Sequence, residues 1–239
     1  MNWTVLGRIV ALLALCALAA VAGSVWAHEV SPMRVFLVPA EGRSQATITI
    51  NNTRDEPLPV EMKAFIRHTS PEGVESLEEV TDAFIIFPPQ VLVPARSSQA
   101  VRIQYVGPPV VDQSLAYVVE VVETPVETPG FTGVRFTYNF GVAVYVEPPR
   151  AVDRLSVVST ERSDDGLRVV VRNSGAKYGL LNLNRLIVTA GDQRIDLTAD
   201  DLGERIDNPL LPPGMDRVFD VRLPELAAEG AVSAEVRSR

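Results

Sequence analysis

Apolar and polar residues alternate in short runs, separated by turn residues, along most of this chain. The longest run lies in GVRFTYNFGVAVYVEPP, residues 133–149, where Val134, Phe136, Tyr138, Phe140, Val142, Val144 and Val146 occupy every even position. Successive strand side chains point to opposite faces, so the pattern predicts a strand over 134–146. Thirteen residues at ~3.3 Å each would span roughly 40 Å, about twice the ordinary strand length. Shorter runs precede it at 33–38, 46–51, 60–67, 84–87 with 91–93, 99–105 and 115–122. Seven strands at this spacing suggest a sandwich of immunoglobulin type.

Pro148, Pro149 and Arg150 end the pattern, since proline donates no ladder hydrogen bond. A second series then follows at 155–160, 167–173, 180–189, 193–197, 217–223 and 231–237. Helical periodicity is weak throughout. The expectation is therefore all-β, with two sandwich domains at 28–149 and 150–239. Two echoes link them: ATITINNT with LRVVVRNSG, and VLVPARSSQAVRI with LLPPGMDRVFDV. Asn51, Asn52 and Thr53 in the first echo read as a turn.

Residues 1–27 carry Arg8, then the apolar run IVALLALCALAAVAG, then SVWA, which reads as a signal peptide cleaved after Ala27. The mature chain of 212 residues would be exported and would not insert in a membrane. It would lack cysteine, because Cys16 is the only one, so burial rather than disulfides must hold its cores. With 21 basic and 30 acidic residues its formal charge would be −9, which argues against nucleic acid or anionic lipid as partner. Lys63 and Lys177 are the only lysines.

Catalytic chemistry has little to build on. There is no G-x-S-x-G elbow and no glycine-rich phosphate loop after a strand, and the two histidines are His28 and His68. Cleavage after Ala27 would place His28 first, where an amino group and imidazole can bind copper with a second histidine. His68, in the turn-like RHTSPEG, is the one candidate partner. The acidic stretch PEGVESLEEVTD, 71–82, lacks the spacing and glycine of a calcium loop and reads as a solvated hairpin loop. No metal and no cofactor are expected.

Several stretches together resemble the periplasmic pilus (fimbrial) assembly chaperones of the chaperone-usher pathway. They are MRVFL (33–37), FPPQVLVPARSSQAVRI (87–103), SLAYVVEV (114–121), the long strand running into proline, and later LRVVVRNSG and LLPPG. The resemblance implies two immunoglobulin-like β-sandwich domains in an L-shaped arrangement and a non-enzymatic chaperone. The last strand of the first domain, G1, would be lent to a pilin-like secreted subunit that lacks its own final strand. Such strand addition draws affinity from main-chain bonds and specificity from alternate side chains in pockets. It would also explain the surplus length, because an exposed apolar edge invites aggregation unless another chain covers it.

Counted back from Pro148, the family's donor residues fall on Val134, Phe136 and Tyr138, with Phe140 as a fourth, while Val142, Val144 and Val146 would serve the home core. The ordinary alternative gives all seven to that core. The family also holds the subunit's terminal carboxylate between an arginine on the first strand and a lysine near the end of G1. Arg34 matches the arginine, and Met33, Val35 and Leu37 would point inward around it. The lysine position is Ala143, and Glu147 replaces a basic residue before the proline, so either the anchor is rebuilt from another arginine or the client is a different one. The connection TPVETPGFTG, 124–133, is short and resembles the short-loop branch, which serves rod-like pili.

The resemblance further implies delivery of the subunit to an outer-membrane usher, and it allows weak self-association that hides the open edge. A different class of function compatible with the same fold is a two-domain protein that binds or stabilises an envelope component outside any pilus system.

Overall fold

The computed structural model describes residues 28–124, 137–226 and 230–238. The segment read as a signal peptide lies outside them, as do Val134, Phe136 and nearly all of the 124–133 connection.

The first half forms β1 (Glu29–Ser31), β2 (Arg34–Leu37), β3 (Gln45–Asn52), β4 (Leu58–Thr69), β5 (Glu75–Glu79), β6 (Phe84–Phe87), β7 (Gln90–Val93), β8 (Ser97–Tyr105), β9 (Leu115–Glu123) and β10 (Asn139–Val146). They make two sheets, β1-β3-β8-β6 facing β2-β10-β9-β4-β5, with β7 also pairing β4. Alternation places Ile48 and Ile50 of β3, Val101 and Ile103 of β8, and Val119 and Val121 of β9 in one core with no exposure to solvent. Val142, Val144 and Val146 of β10 are wholly buried in that same core.

The second half forms β11 (Leu155–Ser163), β12 (Gly166–Asn173), β13 (Gly179–Leu180), β14 (Arg185–Ala190), β15 (Gln193–Leu197), helix α1 (Ala199–Arg205), β16 (Leu210–Leu211), β17 (Asp216–Arg222) and β18 (Val232–Arg237). Sheets β11-β12-β17 and β15-β14-β18 enclose a second core around Leu167, Val169, Val171, Leu186, Val188 and Leu202. The molecule is thus mostly strand, two β-sandwiches in sequence. No helix among the described residues is long and apolar enough to cross a membrane.

Several sequence expectations are corrected. The segment 71–82 holds β5, five residues that are all exposed, paired with the end of β4. Charge rather than alternation marks such an edge strand, and charge also guards an edge against pairing with other chains. His68 lies within β4, not a turn, with its Nε2 3.6 Å from Glu78. Helix α1 is short and was hidden by the weak overall periodicity. Thr198 caps it reciprocally with Asp201. Met33 precedes β2 and is 48% exposed, whereas Val35 and Leu37 point inward as expected.

The two sequence echoes meet in space. Asn52 is fully buried, and its Nδ2 donates to the carbonyls of Val93 and Pro94 at 3.1 and 3.0 Å. Asn173, also fully buried, donates from Nδ2 to the Leu211 carbonyl at 3.2 Å and to the Lys177 carbonyl at 2.8 Å. In each sandwich the asparagine of one echo therefore ties down the proline turn of the other. Asn52 is more than a turn residue: its amide satisfies backbone carbonyls that burial would otherwise leave unpaired.

Candidate functional site

Strand β10 has unequal edges. It pairs with β9 along its whole length, from Asn139 opposite Val122 to Val146 opposite Leu115. On the other side β2 covers only Ala143 to Val146, in parallel register with Arg34 opposite Ala143. The Ala143 N–H donates to the Met33 carbonyl and the Glu147 N–H to Leu37, so odd-numbered backbone groups face β2. By the two-residue period, Asn139 and Gly141 present theirs to the same side, where no strand among the described residues receives them. The reason lies in the chain's entry: β1 pairs with β3 in the opposite sheet, so the N-terminal segment reaches β10 only from Arg34 onward.

Below the open stretch, Arg54 and Glu123 form a bidentate ion pair at 2.6 and 2.9 Å. Glu123 also accepts the Tyr138 N–H at 3.2 Å. His28 is buried, with Nδ1 3.4 Å from Arg54 Nη2 and its ring 4.7 Å, edge-on, from that of Phe140. Burial, with the charge of Arg54, holds the His28 imidazole below its ordinary pKa. Burial alone would raise the Glu123 carboxyl. The hydrogen bonds from Arg54 and the Tyr138 backbone, with the Arg54 charge, outweigh it and hold that carboxyl below the usual carboxylate value.

At the other end of β10 a cleft of about 260 Å³ opens between the sandwiches. Arg34, Phe36 and Tyr145 line it from the first, and Lys177, Tyr178, Leu180 and Leu210 from the second. Phe36 stacks on Tyr145 at 5.5 Å, and Tyr145 meets Tyr178 at 5.4 Å. Burial pushes the Tyr178 hydroxyl up to about 12 and raises that of Tyr145. Lys177 sits 4.9 Å above the Phe36 ring, with its ammonium 3.3 Å from Glu147. The sandwiches are further joined by Ser114 N–H to the Ala176 carbonyl at 2.8 Å and by Asn208 Nδ2 to Glu75 at 3.1 Å.

Comparison with known proteins places this architecture. The sequence model of the pili and flagellar-assembly chaperones, PapD N-terminal domain, matches residues 29–151. The chain belongs to that family. Among curated proteins none matches its sequence. Among solved structures it is similar to the class 5 fimbriae chaperone CfaA, with 10% identity over 89% of this chain and all of that one, at a TM-score of 0.57. The E. coli chaperone DraB gives 17% identity over 90% and 96% of the two chains at 0.55. A chain from the complex of Salmonella enterica SafA pilin with the SafB chaperone gives 16% over 84% and 86% at 0.54. At such identities the likeness speaks for the fold. The family match makes this a pilus-assembly chaperone, and the envelope-stabilising alternative is not favoured.

For this chaperone, the expected site residues fall in two places. Tyr138 is 39% exposed and Phe140 half-buried, packed at the margin of the home core, both at the open end of β10. Val134 and Phe136 lie outside the described residues. Arg34 lies exposed in the cleft, with no hydrogen bond or ion pair among the described residues. Sequence reasoning singled out His28 only as a candidate copper ligand, and it missed Lys177 and the Arg54–Glu123 pair beside His28. A signal for Lys177 existed in RNSGAK, where Asn173 braces the turn that carries it, but its meeting with Glu147 depends on the packing of the two sandwiches.

Proposed function

We propose that this chaperone works by donor-strand complementation in the periplasm. The open edge of β10 pairs with the main chain of a pilin-like subunit, and Val134, Phe136 and Tyr138 fill the groove left by the subunit's missing strand, with Phe140 at the boundary between client and home core. Arg34 holds the subunit's terminal carboxylate, for which a planar, unpaired guanidinium on an exposed strand face is suited. The loaded chaperone then passes its subunit to an outer-membrane usher. No catalytic group is required, because the subunit keeps part of its folding energy unrealised until a final partner strand replaces β10.

The observation that carries this reading is the half-covered strand: β2 pairs Ala143 to Val146, and no strand among the described residues continues that side along Asn139 to Val142. Open edges attract strands, and main-chain pairing does not depend on the client's exact side chains. Co-expression with a secreted, β-rich subunit encoded beside the chaperone tests it. The complex should co-purify as one-to-one heterodimer from the periplasm and dissociate when Tyr138 and Phe136 are both changed to aspartate. Stable complexes with that double variant, or none with the unaltered chaperone, would overturn it.

A further inference from the structure

We propose that Lys177, carried by the second sandwich, is the second cation of the carboxylate site that Arg34 begins, so that the bound chain end is held across the domain boundary. The inference rests on the reading of Arg34 given above.

Arg34 and Phe36 are two residues apart on β2 and so share a face. Lys177 lies over Phe36, which sets its ammonium on the face where Arg34 has no partner. Among the described residues Lys177 makes one ion pair, with Glu147. An ammonium has three donors, so two remain for a ligand. Glu147 is poorly compensated in return: its side chain is 9% exposed and its Oε1 is buried without a hydrogen-bond partner. It acts as an internal counter-ion that holds Lys177 in place in the free protein while lending it to an incoming carboxylate.

The walls define what fits. Phe36, Tyr145 and Tyr178 offer aromatic surface to an apolar chain end. Glu147 and Asp153 also line the cleft, so two carboxylates offset the two cations and leave no surplus positive charge for a doubly charged phosphate. Ala143 of β10 thus needs no cation of its own, because its place opposite Arg34 is served from the other sandwich.

Titration of the full chain with N-acetyl-valyl-phenylalanine and with its C-terminal amide, followed by the NMR ring signals of Tyr145 and Tyr178, tests this. The acid should bind more tightly than the amide. Lys177→Met should weaken the acid about tenfold and leave the amide unchanged, and Lys177→Arg should restore the preference. Glu147→Gln keeps an acceptor for Lys177 but removes the like charge, so it should strengthen acid binding. If Lys177→Met binds the acid as tightly as the unaltered chain while Arg34→Met does not, Lys177 is excluded and the Arg34 anchor survives. Absence of any acid preference, or its persistence in Arg34→Met, defeats both. Should Lys177→Met fail to fold, Glu147→Gln still decides, since unchanged or weakened acid binding would mark the Lys177–Glu147 pair as a brace alone.

Discussion

Arg54 and Glu123 meet at 2.6 Å beneath the start of β10, with side chains only 14% and 7% exposed. The pair spans β9 and the turn after β3, and through Glu123 it also holds the Tyr138 N–H. A buried pair is costly to break from one side, because the partner left behind remains charged and desolvated. Arg54→Met should destabilise the first sandwich by about 3 kcal/mol in urea melts, and Arg54→Met with Glu123→Leu should recover part of that loss.

Acid should loosen the same region in two stages. The folded protein holds His28 below its ordinary 6.5, so as pH falls the unfolded chain takes up a proton first. Stability is therefore whole above 6.5 and declines as pH drops below it. Glu123, held below its ordinary 4.5, stabilises above that value and loses its contribution as pH falls through its folded value. Urea melts across this range should show both declines, and His28→Gln should remove the upper one only.

Along β10, client-facing and core-facing residues should separate by mutation. Val144→Ser leaves a void and a buried hydroxyl in a fully enclosed site and should cost about 3 kcal/mol. Tyr138→Ser, at an exposed position, should shift the melt by about 0.5 kcal/mol or less while weakening subunit capture. Phe136→Asp should likewise spare the melt and abolish capture. Loss of the cooperative melt in Phe136→Asp would place that residue in the home core.

Asn52 and Asn173 should behave alike despite lying in different sandwiches. Either change to alanine strands one buried and at least one part-buried backbone carbonyl and should cost about 1–3 kcal/mol. Asn173→Ala has a second effect, since it frees the turn that carries Lys177: calorimetry should show it weakening carboxylate binding, whereas Asn52→Ala should not.

The strands were legible because period-two alternation reports directly on a two-sheet core. Ile48 and Ile50, Val101 and Ile103, and Val142, Val144 and Val146 are buried where the pattern put them. Elements without that pattern escaped: β5 is all exposed and mostly acidic, and α1 is two turns defined by its cap, Thr198 to Asp201. The strand predicted over 134–146 is described as strand from Asn139 onward. The outward direction of Arg34 was legible from the alternation of Val35 and Leu37 beside it, whereas its role comes from the family resemblance alone. Lys177 beside Glu147, and His28 beside Phe140, were not legible, because each contact joins segments distant in sequence.

Amide hydrogen exchange at Asn139 and Gly141 tests strand donation most directly. Both N–H groups point to the open side of β10 and should exchange readily in the free chaperone. Upon complex formation with a co-expressed subunit they should become strongly protected, while Val144, already paired and buried, changes little. A subunit complex in which Asn139 and Gly141 exchange as fast as in the free chaperone would contradict the account.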